Sequence, residues 1–474
     1  MTSVQTTRRT DDPAARPDDQ PAPSRGRPRE LTLTVGAPAH GGHCVARPVD
    51  DPDGRVIFVR HALPGETVRA RLTEMTSRTW RADAVEVLQA SPDRVESIWP
   101  EAGPAGVGGG ELAHVALGAQ RTWKRWVLAD CLRRIGGQEV ADAVASLPEA
   151  SAGAAVPIEP MPTDAAAQAS TSARRRALAG TATRTRVSLT VNDDGEPGMH
   201  AFRSGTVLPL RRLPLAVPAI TEIGLLERSR WRAHYRPGMR IEAIAPSGGE
   251  PVVLLDDRLL TAQARSTGRR RVQEIVDASA LGLGELTYSV HAGGFWQVHV
   301  DAPRVLVERV VRAALGENLE RAAGSRVLEL YSGAGLFTLP LAALVGSGGQ
   351  VLSLEGSEQA VRDARRTLHE HPGARLAAGR VSARSVHELA ASFAAGRPDV
   401  VVLDPPRQGA GREIIEAVAA LGAERIVLLA CDPAALARDL GTLLQAGYGL
   451  GAMSALDMFP HTHHFETIAV LDRS

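Results

Sequence analysis

Apolar and polar residues alternate through much of the stretch from 31 to 90. "LTLTVGA" and "GRVIFVR" carry the two-residue period of a half-buried strand. "HALPGETVRARLTEM" joins a Pro-Gly turn to another such strand, and "RADAVEVLQ" supplies one more. Short strands with Gly-rich turns over about sixty residues predict a small β-barrel of the oligonucleotide-binding type at 30–92. From 286 the pattern changes. The apolar runs in "SRVLELYSG", "GQVLSLEGS", "PDVVVLDPP", "ERIVLLACD" and "ETIAVLD" are separated by helical segments. That alternation predicts an α/β domain at 286–474, its sheet covered on both faces. The chain between, 93–285, predicts a central α+β domain. It has a Gly-rich loop, a helix in "ALGAQRTWKRWVLADCLRRIG", a variable Ala- and Pro-rich linker near 137–170, and a basic strand in "TRTRVSLTV".

Composition narrows the class. Apolar residues make up 44% and charged residues 23%, as in soluble globular enzymes, and the length fits two or three domains. No run is apolar enough to span a bilayer. Residues 1–29 mix Arg, Asp, Pro and Ser without the apolar core of a secretory signal, and read as a disordered tail. Three cysteines, Cys44, Cys131 and Cys431, form neither a disulfide framework nor a tight metal cluster. A cytoplasmic, membrane-free protein is expected, with no metal. Cys44 and Cys131 read as small buried residues.

Net charge is +0, so the chain as a whole carries no nucleic-acid signal. Lys124 is the only lysine, and the positive charge is otherwise arginine. Arg174, Arg175, Arg176, Arg184, Arg186, Arg203, Arg211 and Arg212 cluster where the acids are only Asp193, Asp194 and Glu196. Strand alternation puts Arg184 and Arg186 on one face. That local excess favours an RNA-facing sheet over an ordinary solvated face.

Three stretches carry candidate chemistry. "VLELYSGAGLFTLPLA" reads as strand, Gly-rich turn and helix, with Gly333 and Gly335 allowing close backbone approach to a ligand. Glu355 ends the next strand, where an acid can accept from ribose hydroxyls, and Asp404 ends a later one in "VVVLDPPRQG". Carboxyl ends of such strands converge on one crevice. No third glycine stands in dinucleotide spacing, so S-adenosylmethionine is the preferred cofactor. Cys431 ends the strand of "VLLACDPAALARDL", with Asp432 placed to cap the following helix and Pro433 in its first turn. The helix dipole there favours thiolate, and the Asp432 charge opposes it.

A methyl donor beside a thiolate suggests a pyrimidine target. Carbon 5 of the ring is weakly nucleophilic until sulfur adds at carbon 6. A base must then remove the carbon-5 hydrogen, and "DMFPHTHHFETIAVL" offers Glu466 or, alternatively, one of His461, His463 and His464.

"DPPRQG", "CDPAALARDL" and "DMFPHTHHFET" together resemble the RNA uracil-5-methyltransferase family. "GGHCVAR" followed by "IFVRHALPGETVRARL" resembles a TRAM domain, an RNA-binding barrel. The resemblance implies a Rossmann-like class I methyltransferase domain forming 5-methyluridine in tRNA or 23S rRNA. It implies Cys431 as nucleophile, Glu466 as proton acceptor and Asp404 beside cofactor and base. Gln297 of "GGFWQVH", Tyr331 and Leu336 would border the cofactor, with His299 where the family has asparagine. Leu428, Leu429, Ala430, Cys431 and Asp432 replace the usual Tyr-Val-Ser-Cys-Asn. Many relatives also hold an iron–sulfur cluster. Trp99, Val107, Gly110 and Leu213 stand where its cysteines would be, so apolar packing is expected instead of a cluster. A monomer is expected. Two rival readings are an amino-group methyltransferase using Asp404-Pro405-Pro406 and an RNA-binding protein whose catalysis has decayed.

Overall fold

A computed structural model describes residues 29–150, 155–393 and 396–473; residues 1–28, which hold nearly all of the expected tail, lie outside them. Five strands close a barrel in the order β1-β2-β3-β5-β4: β1 (Glu30–Ala39), β2 (His43–Pro48), β3 (Ile57–Arg60), β4 (Thr67–Met75) and β5 (Trp80–Gln89). Alternation sends Leu33, Val35, Val68 and Ala70 inward. Cys44 is buried among them, its thiol donating to the Ala62 carbonyl.

Helix α1 (Leu117–Arg134) joins the barrel to the rest. Its Trp123, Val127 and Cys131 pack into the barrel core, while Leu128 and Leu132 enter the core of the large C-terminal sheet. Between them Lys124 is buried. Its Nζ donates to Asp457 Oδ1 at 2.5 Å and to the Phe459 carbonyl at 3.1 Å. A buried ammonium is tolerated only when paired in this way.

The stretch expected as a variable linker, 137–170, is largely ordered structure. It holds α2 (Gly137–Ala145), β6 (Ile158–Pro160) and α3 (Pro162–Gln168), with only 151–154 outside the described residues. Val140 and Val144 of α2 and Ile158 of β6 are buried in the core of the C-terminal sheet. That long-range burial outweighs an Ala- and Pro-rich local composition.

After the short α4 (Ala173–Ala177) comes a six-stranded sheet ordered β12-β11-β10-β7-β8-β9. Its strands are β7 (Arg186–Val191), β8 (Pro197–His200), β9 (Val207–Pro209), β10 (Arg240–Ile244), β11 (Val252–Leu255) and β12 (Arg258–Thr261). Two short helices, α5 (Pro218–Thr221) and α6 (Ser229–Arg232), lie between β9 and β10. Trp99, Val107 and Leu213 share this domain's apolar core. Gly110 is there because nothing larger fits: an added Cβ would lie 2.6 Å from the Ala102 Cβ and 3.0 Å from the Trp99 ring.

The hairpin β13 (Arg271–Asp277)–β14 (Glu285–His291) crosses the expected domain boundary at 286. It leads through α7 (Ala302–Leu315) into the C-terminal sheet, ordered β17-β16-β15-β18-β19-β21-β20-β6. Strands β15 (Arg326–Leu330), β16 (Gln350–Glu355), β17 (Ala374–Ala378), β18 (Val400–Leu403) and β19 (Arg425–Ala430) run parallel. Helices α8 (Thr338–Val345), α9 (Glu358–Thr367), α10 (Ala383–Ala390), α11 (Arg412–Ala420) and α12 (Pro433–Gln445) link and follow them. Strand β21 (Glu466–Arg473) inserts antiparallel between β19 and β20 (Tyr448–Asp457), and β6 adds an edge parallel to β20. The strand interiors Val327, Leu328, Val401, Val402 and Leu428 are fully buried, as a sheet covered on both faces requires.

Gly110→Ala is expected to destabilise the protein by about 1–3 kcal/mol through overpacking against Ala102 and Trp99. Urea denaturation checks this; an unchanged midpoint would contradict the packing.

Candidate active site

The five parallel strands end along one edge. Leu330 pairs with Leu354 and Leu403, so the next residues, Tyr331, Glu355 and Asp404, stand in a row just past these pairs. Tyr331 is bent into a positive φ of 64°, an uncommon conformation for a non-glycine residue. Gly333 (φ 55°) follows, and its N–H donates to Glu355 Oε2 at 3.0 Å. Ser357 N–H donates to the other oxygen at 2.6 Å. Glu355 thus holds the turn in place, each oxygen keeping a lone pair for a ligand.

Beneath the turn lies Glu329, which no sequence motif signals. Burial pushes its carboxyl up to about 7, although the hydroxyls of Thr338 and Ser353 donate to it at 2.5 and 2.8 Å.

Cys431 follows β19 and precedes α12. Asp432 caps that helix, its Oδ1 accepting from Ala434 N–H and Ala435 N–H at 3.0 and 2.9 Å. Ala430 pairs with Thr467 across the antiparallel ladder. Cys431 and Glu466, the first residue of β21, each adjoin that last pair, and the Glu466 carboxyl acts on the thiol.

A cleft of about 1460 Å³ brings together Cys431, Glu466, Asp404, Glu355, Gly333, Tyr331, Leu336 and Gln297. Gly335 is the exception among the candidates. It does not line this cleft, and its conformation (φ 87°) packs the turn toward Ala364 of α9. Leu336 borders the cleft but is mostly buried, its carbonyl accepting from Tyr288 OH at 2.9 Å. His299 lies away from the cleft wall. Its Nδ1 accepts from Asp301 N–H, leaving Nε2 to donate to Asp164 at 3.2 Å.

The sequence set the helix dipole against Asp432 at Cys431, and the structure adds stronger effects. Burial, reinforced by Glu466 and Asp404, pushes its thiol up to about 12, against a smaller opposing effect of Arg407. Burial and Glu355 push Asp404 up to about 7. Burial and Asp404 hold Glu466 well above the usual carboxylate range, and its Oε1 has no hydrogen-bond partner. Acids packed this closely raise one another and leave the cleft short of positive charge. A cationic nucleoside with ribose hydroxyls, such as S-adenosylmethionine, fits that deficit and the free lone pairs of Glu355.

The histidines differ from one another. Burial drives His461 down to about 4, against Gln120 and outside the cleft, and His464 down to about 3, within it. His463 stacks on His464 with ring centroids 3.9 Å apart. Among the described residues no group of His, Cys, Asp or Glu is arranged to hold a metal ion.

Other features escaped the sequence pattern. Asp439 of α12 accepts from Ala410 N–H at 2.9 Å and Gly411 N–H at 3.3 Å, fixing the loop after Asp404. Phe295 lines the cleft mouth and is 74% exposed. It is one of only seven phenylalanines, set among glycines in "AGGFWQ", and that was its available signal. Phe202 also reaches the cleft, with the Arg60 guanidinium 3.6 Å from its ring centre.

The basic face is only partly free. Arg186 donates to the carbonyls of Ala292 and Gly294 and to Glu274, so it braces the β13–β14 hairpin. Arg184 lines the cleft, while Arg174, Arg175, Arg176, Arg203, Arg211 and Arg212 are exposed.

A Gly-rich turn after the first parallel strand, acids on the neighbouring strand ends and an antiparallel strand inside the sheet define a Rossmann-like methyltransferase. Residues 284–474 match the tRNA (uracil-5-)-methyltransferase family, and residues 27–85 match the TRAM domain. An RNA methyltransferase of Streptomyces avermitilis is 38% identical over 94% of this chain and 98% of its own. The 23S rRNA (uracil(1939)-C(5))-methyltransferase RlmD of Acinetobacter baumannii is 30% identical over 94% and 96%. The crystal structure of Pyrococcus abyssi tRNA (uracil-54, C5)-methyltransferase, in complex with S-adenosyl-L-homocysteine, shares the fold. Its TM-score is 0.60 at 19% identity, with 93% of this chain and 99% of that one covered. The chain belongs to the S-adenosylmethionine-dependent RNA (uracil-5-)-methyltransferase family.

Asp404 has a folded value of about 7, above its usual one near 3.8. Its contribution to stability is full below pH ~4 and is lost as pH rises through about 7. Asp404→Asn removes that loss. The variant is expected to melt higher than wild type at pH 8 and close to it at pH 4; a constant difference across that range would contradict the shift.

Proposed function

We propose that this protein methylates carbon 5 of a uridine in ribosomal or transfer RNA through a covalent adduct with Cys431. The observation that carries this reading is that Cys431, Glu466 and Asp404 line one cleft, close enough for both carboxyls to act on the thiol.

S-adenosylmethionine, when bound, supplies an electrophilic methyl group to carbon 5 of the adduct. Gln297, Tyr331, Gly333, Leu336 and Glu355 border the space for it, and Gly335 shapes the turn. The protein's own residues do the rest. Asp404 and Glu466 act as bases in their ionised form, which a bound cation would favour. Cys431 adds to carbon 6 and gives its proton to Asp404, while the ring double bond shifts its electrons toward carbon 5. After methylation Glu466 takes the hydrogen from carbon 5. The electrons of that C–H bond rebuild the double bond and expel sulfur.

The uridine must leave its stack to enter the cleft. Phe295 at the mouth offers a face to a neighbouring base, and the TRAM barrel with the exposed arginines offers a surface for the RNA backbone.

Cys431→Ala is expected to lower methyl transfer on the order of a thousandfold or more. Glu466→Gln is expected to form the adduct and stall there, giving a protein–RNA complex that survives denaturing electrophoresis. Mass analysis of nucleosides, with RNA from cells lacking the protein as acceptor, reads the product. Retained turnover by Cys431→Ala would favour amino-group methylation instead. Failure of the wild-type protein to bind S-adenosylmethionine would favour a decayed RNA-binding role.

A further inference from the structure

Asp432 follows Cys431 directly, and its carboxylate is held in the charged form beside a thiol that must ionise to react. The structure shows how that charge is met. Asp432 Oδ1 caps α12, and Oδ2 turns to the barrel, where His40 Nε2 lies 2.8 Å away. His40 sits in the tight connection between β1 and β2. With its neighbours Ala39 and Gly41 it lines a small pocket shared with Cys431, Asp432 and Trp123 of α1. The barrel therefore forms the wall behind the nucleophile.

We propose that His40 is a positioning residue for methyl transfer: as an imidazolium it neutralises Asp432, and so permits Cys431 to ionise and holds its turn in place. This rests on the reading of Cys431 as nucleophile. The charges support it in both directions. The hydrogen bond to Asp432 raises His40, against burial and the facing charge of Arg438. Burial works to raise Asp432, but His40 and the two helix N–H groups outweigh it and hold the carboxylate low. From α1, Cys131 faces Asp432, with Asp130 and Arg134 nearby. The imidazolium contribution is full below pH ~6.5 and is lost as pH rises through the raised value of His40.

Two rates test the proposal. One is alkylation of Cys431 by iodoacetamide, followed on its peptide by mass spectrometry; Cys44 and Cys131 are buried and do not compete. The other is kcat for methyl transfer to RNA from cells lacking the protein. His40→Ala is expected to slow both about fivefold at neutral pH, with KM for S-adenosylmethionine unchanged. His40→Gln keeps a donor and most of the volume but not the charge, and is expected to slow them equally. Adding Asp432→Asn to His40→Ala removes the unmatched charge and is expected to restore both rates. The gap between wild type and His40→Ala is expected to close as pH rises. Wild-type rates in His40→Ala, or a double variant as slow as the single, would overturn the proposal. Alkylation involves no RNA, so it judges His40 even if Cys431→Ala proves active and the nucleophile reading falls.

Discussion

Everything at this site depends on one antiparallel strand. Parallel strands β15 to β19 all finish on the same edge, which is where a doubly wound sheet binds ligands. A further parallel strand would bring its beginning to the opposite edge. β21 runs the other way, so its first residue, Glu466, arrives where the others end. The hydrogen-bond register runs to the Ala430–Thr467 pair, next to which Cys431 and Glu466 follow and precede their strands. Thr467 reinforces that register, its hydroxyl donating to the Ala430 carbonyl at 2.8 Å.

The same packing that fixes the geometry sets the chemistry at rest. Cys431, Asp404 and Glu466 share a poorly solvated cleft and hold one another's protons. The thiol is therefore kept in its unreactive form despite its place at a helix N-terminus. The supports around the three groups are equally shared: α12 carries the turn after Cys431 at its start and, about two turns on, Asp439 for the loop after Asp404. α1 backs the same region while closing the barrel core. Barrel and C-terminal sheet are one packed unit at Cys431.

What the sequence revealed was local. Two-residue alternation marks the barrel strands because each has one wet face. Continuous apolar runs mark the inner strands because both faces are covered. Cys431, Asp404, Glu355 and the Gly-rich turn could be placed at strand ends because a strand's end is visible in its own residues. Pairings distant in the chain were not visible. β6 looks like linker until it meets β20, some three hundred residues later. Arg186 looks free until Glu274 and the 292–294 loop reach it. The proton affinities were hidden for the same reason: a dipole argument knows the helix that follows Cys431 but not the two carboxyls folded against it.

The central claim is that sulfur of Cys431 bonds to carbon 6 and that Glu466 then clears the hydrogen from carbon 5. RNA transcribed with 5-fluorouridine tests it directly, because fluorine at carbon 5 cannot leave as the proton does. Incubated with protein and S-adenosylmethionine, it should accumulate as a denaturation-resistant complex whose digest carries one methylated fluorouridine on the Cys431 peptide. Recovery of free RNA and unmodified Cys431, from protein that methylates ordinary RNA under the same conditions, would contradict the account.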